Sequence, residues 1–221
     1  MSVRTLTALD FIWGVSKRTP CCLVNGNTVA LGRPRHSEIC VSLGVGEGEA
    51  LLDLARAVGR SGGVYVVEMS KDVLNTARCH LEKANLHNVD YIHAIYEQIE
   101  LEDSVADLVV SDCSIAFAQE KSQVWDEIAR ILKPGGRFVI SDIFAEAPLS
   151  RRKPVRSRKN ICLADLMTKE EYLYQIDGKG FERVTIIEES APYSADYLDR
   201  PVTLCSFVIS GRKARARRFD G

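Results

Sequence analysis

The chain has 221 residues, 46% of them hydrophobic, a formal charge of -1 and a pI of about 6.4, which suits one well-buried core. That balance argues against a nucleic-acid partner, and no run reaches the roughly 20 apolar residues of a membrane span. Asp10 interrupts the apolar patches of "MSVRTLTALDFIWGV" and no small-residue cleavage site follows, so a secretory leader is not expected. Seven scattered cysteines in a chain too large for a disulfide scaffold suggest a reducing, cytoplasmic setting.

The first 35 residues carry no clear periodicity, and we set 1–35 apart from an α/β domain over 36–211 and a basic tail over 212–221. Within the domain, Glu38 to Leu43 reads as a strand, Glu47 to Val58 as a helix and "GGVYVVEM" as a second strand. "SKDVLNTARCHLEKANL" follows as a helix, capped by Ser70, with Val73, Leu74, Ala77 and Leu81 on one face. "VDYIHAI" and "ADLVVSDC" are strands, "EKSQVWDEIARIL" a helix and "GRFVISDI" a strand. "SRRKPVRSRKN" at 150–160 reads as a mobile basic loop. "TKEEYLYQIDGKGF" is a helix with a capping box from Thr168 to Glu171, and "ERVTIIEE" and "VTLCSFVIS" are strands. Near-continuous Val, Ile and Leu strands separated by helices predict a doubly wound, mostly parallel sheet.

In such sheets ligands sit beyond the carboxyl ends of the strands. Gly44, Gly46 and Gly48 follow the first strand, where a backbone without side chains can approach a ligand. Glu68 ends the second strand, about twenty residues on, where a carboxylate can accept both hydroxyls of a ribose. Glu49 stands where a dinucleotide fingerprint needs its last glycine, which disfavours NAD, and no Gly-Lys-Ser/Thr follows for a P-loop.

The segment "ARILKPGGRFVISD", taken with "LGVGEG" and "VYVVEMS", resembles class I S-adenosylmethionine-dependent methyltransferases. That resemblance implies a Rossmann-like fold with an antiparallel C-terminal strand and S-adenosylmethionine as cofactor. It adds Met69, Ile95, Tyr96 and Asp112 to the three glycines and Glu68 as cofactor-binding positions. "NGNTVAL", "VVEMSKDVLNTAR", "VVSDCSIAFAQEKSQVWDEIARILKPGGRFVISDI" and "ICLADLMTKEEYLYQIDGKGFERVTIIE" look more narrowly like the arsenite methyltransferase family. From it follow Cys113 and Cys162 as thiolates holding trivalent arsenic, a soft centre that prefers sulfur. Cys21 and Cys22 become a thiol exchange pair served by a thiol reductant, with Asn25 where the family has a further cysteine.

The chain departs from these patterns at Ser42 and Ala50, where carboxylates are usual, and at Ile95, where an Asp commonly meets the adenine. Three lost hydrogen bonds predict binding weakened about a hundredfold. Two readings result: methyl transfer to arsenite or another small thiophilic acceptor, or a catalytically weak or silent relative that senses a small molecule or soft metalloid. Cys40, Cys79 and Cys205 are expected in the core, as are Trp125 and Ile128. His36, His80, His87 and His93 lack paired metal spacing.

Overall fold

The structure, a computed structural model, describes residues 27–45, 48–148, 166–197 and 200–215. It opens with a short helix, α1 (Thr28–Gly32), whose first turn is capped by the Asn27 side chain accepting from the Ala30 N–H at 3.3 Å. β1 (Ile39–Leu43) leads through the glycine turn into α2 (Glu49–Val58), and β2 (Gly63–Glu68) leads into α3 (Lys71–Lys83). The Ser70 hydroxyl caps α3 by accepting from the Val73 N–H, as its sequence position predicts. β3 (Val89–His93), β4 (Ala106–Asp112), α4 (Lys121–Ile131) and β5 (Leu132–Ala145) follow, then α5 (Lys169–Ile176), β6 (Phe181–Glu189), β7 (Tyr193–Tyr197) and β8 (Arg200–Lys213).

The sheet order is β3-β2-β1-β4-β5-β8-β6, with β7 paired to one end of β8. Strands β1 to β5 are mutually parallel, and β8 runs antiparallel to β5, β6 and β7. Chain order therefore reverses between β1 and β4, and the crevice at their carboxyl ends is the position where an open α/β sheet takes a ligand.

Two apolar layers cover the sheet because alternate strand residues point to opposite faces. Cys40, Val64, Val66 and Leu108 pack against Val29 of α1, Leu51 and Leu54 of α2 and Val73 and Leu81 of α3. On the other face Val41, Leu43, Val109 and Ile140 meet Trp125 and Ile128 of α4 and Tyr172 of α5. Trp125 is fully buried and makes edge contacts with Phe138, Tyr172 and Phe181 at centroid distances of 5.1, 6.2 and 5.9 Å. Such contacts add about 1 kcal/mol each beyond area burial.

Several expectations change in detail. Cys79 is exposed: it lies two residues past Ala77, turned away from the buried stripe of α3. Cys40 and Cys205 are buried, as expected. Helix α5 keeps the predicted capping box but stops at Ile176, because Gly178 and Gly180 adopt φ of 71° and 78°. Strand β5 begins at Leu132 and takes in the Lys-Pro-Gly-Gly turn as a bulge, its register moving from Ala106↔Leu132 to Leu108↔Arg137. Helix α1 and strand β7 are additions. The basic loop at 150–160 and the end of the tail lie outside the described residues.

Candidate functional site

The carboxyl ends of β1, β2 and β4 bring several of the predicted residues together. Gly44 leaves β1 at φ 85°, and its N–H donates to the Val67 carbonyl at 2.8 Å. A Cβ on Gly44 would stand 2.0 Å from Ser114 Oγ and 3.4 Å from the Tyr96 hydroxyl, so only glycine fits. Gly48, at φ 73°, starts α2. Gly46 lies outside the described residues.

Glu68 ends β2 almost fully buried. Its carboxylate accepts from the Ser70 N–H at 2.9 Å. Burial raises its pKa, and the nearby N–H groups of Ser70, Val45 and Met69 and the Tyr96 hydroxyl offset that rise only in part. The Tyr96 hydroxyl and Ser114 Oγ both face Gly44, and burial beside Glu68 pushes the phenol pKa up.

Asp112, at the end of β4, accepts from Thr28 of α1 at 3.0 Å, so α1 reaches over the crevice. A cleft of about 10 Å³ remains between Thr28, Ser42, Gly44, Val45, Ala50 and Asp112, room for a single water. Ser42 turns its hydroxyl to the Gly44 carbonyl at 2.8 Å and so braces the turn from inside. Met69 and Ile95 are 36% and 52% exposed. The Met69 carbonyl accepts from His93 Nε2 at 3.0 Å, which places the proton on that ring nitrogen.

Cys113 follows β4 in the left-handed region, φ 53°, and donates its N–H to the Ser141 carbonyl at 2.8 Å. It packs in a small apolar cluster with Ile143, Ala145 and Leu204, flanked by Leu166, Tyr193 and Val202. Its sulfur is disulfide-bonded, so a thiolate forms here only after reduction. Cys162, Cys21 and Cys22 also lie outside the described residues. A wider groove of about 380 Å³ between α5 and β6, lined by Lys169, Leu173, Ile186 and Glu189 among others, includes none of these strand-end residues. Among the described residues no three His, Cys, Asp or Glu side chains cluster as a metal site, and no helix is long and apolar enough to cross a membrane.

Thr28 and Ser114 escaped the sequence reading. The only local signal for Thr28 is the helix-capping Asn27 before an apolar triplet, and Ser114 carries none.

The residues present fit an adenosyl cofactor by their chemistry. A buried carboxylate ends β2, a side-chain-free turn follows β1, and both sit at the switch point. Comparison with known proteins agrees. The family model described as a methyltransferase domain matches residues 37–188. The arsenite methyltransferase of Aquipseudomonas alcaligenes is 36% identical over 190 residues, 81% of this chain and 51% of that protein. That of Halobacterium salinarum is 30% identical over 194 residues, 85% of this chain and 50% of that protein. The chain thus spans about half the length of these relatives. The crystal structure of an arsenic(III) S-adenosylmethionine methyltransferase from Chlamydomonas reinhardtii superimposes with a TM-score of 0.67 at 24% identity, covering 97% of this chain and 72% of that one, which speaks for the fold. The chain belongs to the methyltransferase-domain family, with the fold and cofactor class of the S-adenosylmethionine-dependent enzymes.

Proposed function

We propose that this chain serves methyl transfer from S-adenosylmethionine to a thiophilic acceptor, arsenite before any other, held by the sulfurs of Cys113 and Cys162. The observation that carries the reading is the place of Cys113: it follows β4 directly at the switch point, one residue from Asp112 and one from Ser114, which touches the glycine turn. The two relatives described as arsenite methyltransferases support the acceptor.

When bound, S-adenosylmethionine supplies a methyl group on a sulfonium. The residues of this chain position it. Glu68 would hold the ribose hydroxyls, and the turn from Gly44 to Gly48 would let the backbone approach the amino-acid end beside Asp112 and Thr28. Ile95 and Met69 would offer the adenine apolar surface. Cys113 packs among Ile143, Ala145 and Leu204, apolar neighbours that keep water from a soft nucleophile and make positioning the main contribution of the protein. Cys113 and Cys162 bind arsenic as thiolates, so the Cys113 disulfide must first take two electrons from a thiol reductant, with Cys21 and Cys22 as exchange partners. Membrane or nucleic-acid partners have no part in this scheme, and cytoplasmic thiol pools suit it. The named relatives are described by activity, which favours the enzyme over the silent, sensing protein.

With the protein fully reduced, Cys113→Ser and Cys162→Ser are each expected to abolish arsenite-dependent methyl transfer while leaving the affinity for S-adenosylhomocysteine within about twofold, a change worth under 0.5 kcal/mol. Full activity in both variants would remove the thiolate assignment.

A further inference from the structure

Tyr193, Leu204 and Ala145 form one rung across β7, β8 and β5, and Ser206 and Ile143 form the rung two residues further along β8. Residues two apart on a strand share a face, so these side chains stand on the face where Cys113 packs with Ile143, Ala145 and Leu204. Cys113 is tied to the same stretch of β5 by its N–H on the Ser141 carbonyl at 2.8 Å.

The Tyr193 ring packs against that cluster, and its hydroxyl reaches along the sheet to the next rung, 3.2 Å from Ser206 Oγ. Ser206 is almost fully buried, and its N–H donates to the Ser190 hydroxyl at 2.9 Å. The surroundings of the Cys113 side chain are thus apolar with hydroxyls at one margin. Holding β7 to β8 does not call for that hydroxyl pair, since the ladder from Tyr193↔Leu204 to Tyr197↔Arg200 already joins the strands.

Arsenite in neutral water is arsenous acid, arsenic carrying three hydroxyls. When two thiols bind it, each forms an arsenic–sulfur bond while an arsenic–oxygen bond breaks, and the hydroxyl leaves with the thiol proton as water. No oxidation state changes, and one hydroxyl stays on arsenic. We propose that Tyr193, braced by Ser206, hydrogen-bonds this remaining hydroxyl and so selects, among thiophilic acceptors, those that keep an oxygen on the metalloid. The inference rests on the assignment of Cys113 and Cys162 to the acceptor made above. With two sulfurs and one oxygen held, the lone pair of the pyramidal arsenic has one direction left, which is the positioning that methyl transfer requires.

Calorimetric titration of the reduced protein with arsenite and with methylarsonous acid tests it. Both ligands give up two hydroxyls to the thiols, but methylarsonous acid then carries a methyl where arsenite keeps its last hydroxyl. Tyr193→Phe retains the ring and is expected to weaken arsenite binding about tenfold while leaving methylarsonous acid within about twofold. Cys113→Ser is expected to abolish binding of both. If Cys113→Ser leaves both unaltered, the thiolate assignment falls and takes this inference with it. If Cys113→Ser abolishes binding while Tyr193→Phe leaves arsenite unaltered, or weakens methylarsonous acid as much, the thiolates stand and Tyr193 only props β7. A melting curve for each variant checks folding. Should Tyr193→Phe not fold, Ser206→Ala, which removes only the brace, must show a loss confined to arsenite.

Discussion

Gly44 has no room for a side chain on the face it turns to the site. With φ at 85° and Ser114 Oγ 2.0 Å from the place of a Cβ, Gly44→Ala is expected to destabilise the protein by about 1–3 kcal/mol. Adding Ser114→Ala should return part of that loss and leave the backbone share, about 1 kcal/mol, which urea denaturation of the single and double variants can read. The glycine turn and Glu68 were legible in the sequence, since their spacing reflects one strand, one helix and the next strand. The meeting of Gly44 with Tyr96 and Ser114 was not. Those residues follow β1, β3 and β4, and only the order β3-β2-β1-β4 brings them to one point. The exposure of Cys79 also escaped, because a residue type that favours burial says nothing of which helix face it occupies.

Helix α1 shows the same limit one level up. Five residues cannot display an amphipathic period, so sequence reading left the segment unassigned, whereas the Val- and Ile-rich strands declared themselves. What holds α1 in place is distant: Arg137 of β5 donates Nε to the Gly32 carbonyl and Nη2 to the Arg33 carbonyl, both at 2.7 Å. The same guanidinium forks onto Glu38 at 2.9 and 2.8 Å. Burial alone would raise the Glu38 pKa, but Arg137 and the Arg35 N–H bring it below the ordinary value. Arg137→Ala strands a half-buried carboxylate and frees α1, an expected loss of about 3 kcal/mol. Arg137→Lys should recover only a part, since an ammonium cannot form the fork. Denaturant unfolding gives the magnitude, and hydrogen exchange at Leu31 and Arg33 reports the release. Because α1 carries Thr28 to Asp112, the same variants are expected to weaken S-adenosylhomocysteine binding.

Across the whole molecule, the sheet and the layer of α4 and α5 meet at a polar point inside an apolar core. Asp142 of β5 is fully buried, accepting from the Tyr172 hydroxyl at 3.0 Å and from the Ile143 N–H at 2.9 Å. Burial raises its pKa to about 6, against lowering contributions from the Ile143 N–H, Lys121 of α4 and Tyr172 of α5. A folded-state pKa above the unfolded value means that Asp142 stabilises the fold at low pH and that this contribution is lost as pH rises through about 6. Relative to Asp142→Asn, the wild type should therefore lose about 2 kcal/mol of unfolding free energy between pH 4 and pH 7. Urea titrations of both proteins across that range supply the difference, and a flat line would mean an Asp142 that stays ionised. Glu38 works in the opposite sense, its contribution present above the ordinary carboxylate range and lost as pH falls through its lowered pKa.

The place of β8 has a consequence for the order in which the molecule comes into being. It is the last strand of the sheet in the chain, yet it lies inside the sheet, between β5 and β6, and also holds β7. A nascent chain stopped before residue 200 has completed every parallel strand and still has β5 with a bare apolar edge and β6 with nowhere to dock. Such an edge is a template for pairing with another chain. Of the strands in this sheet the chain delivers the keystone last, and until β8 arrives the edge of β5 stands open to a second copy.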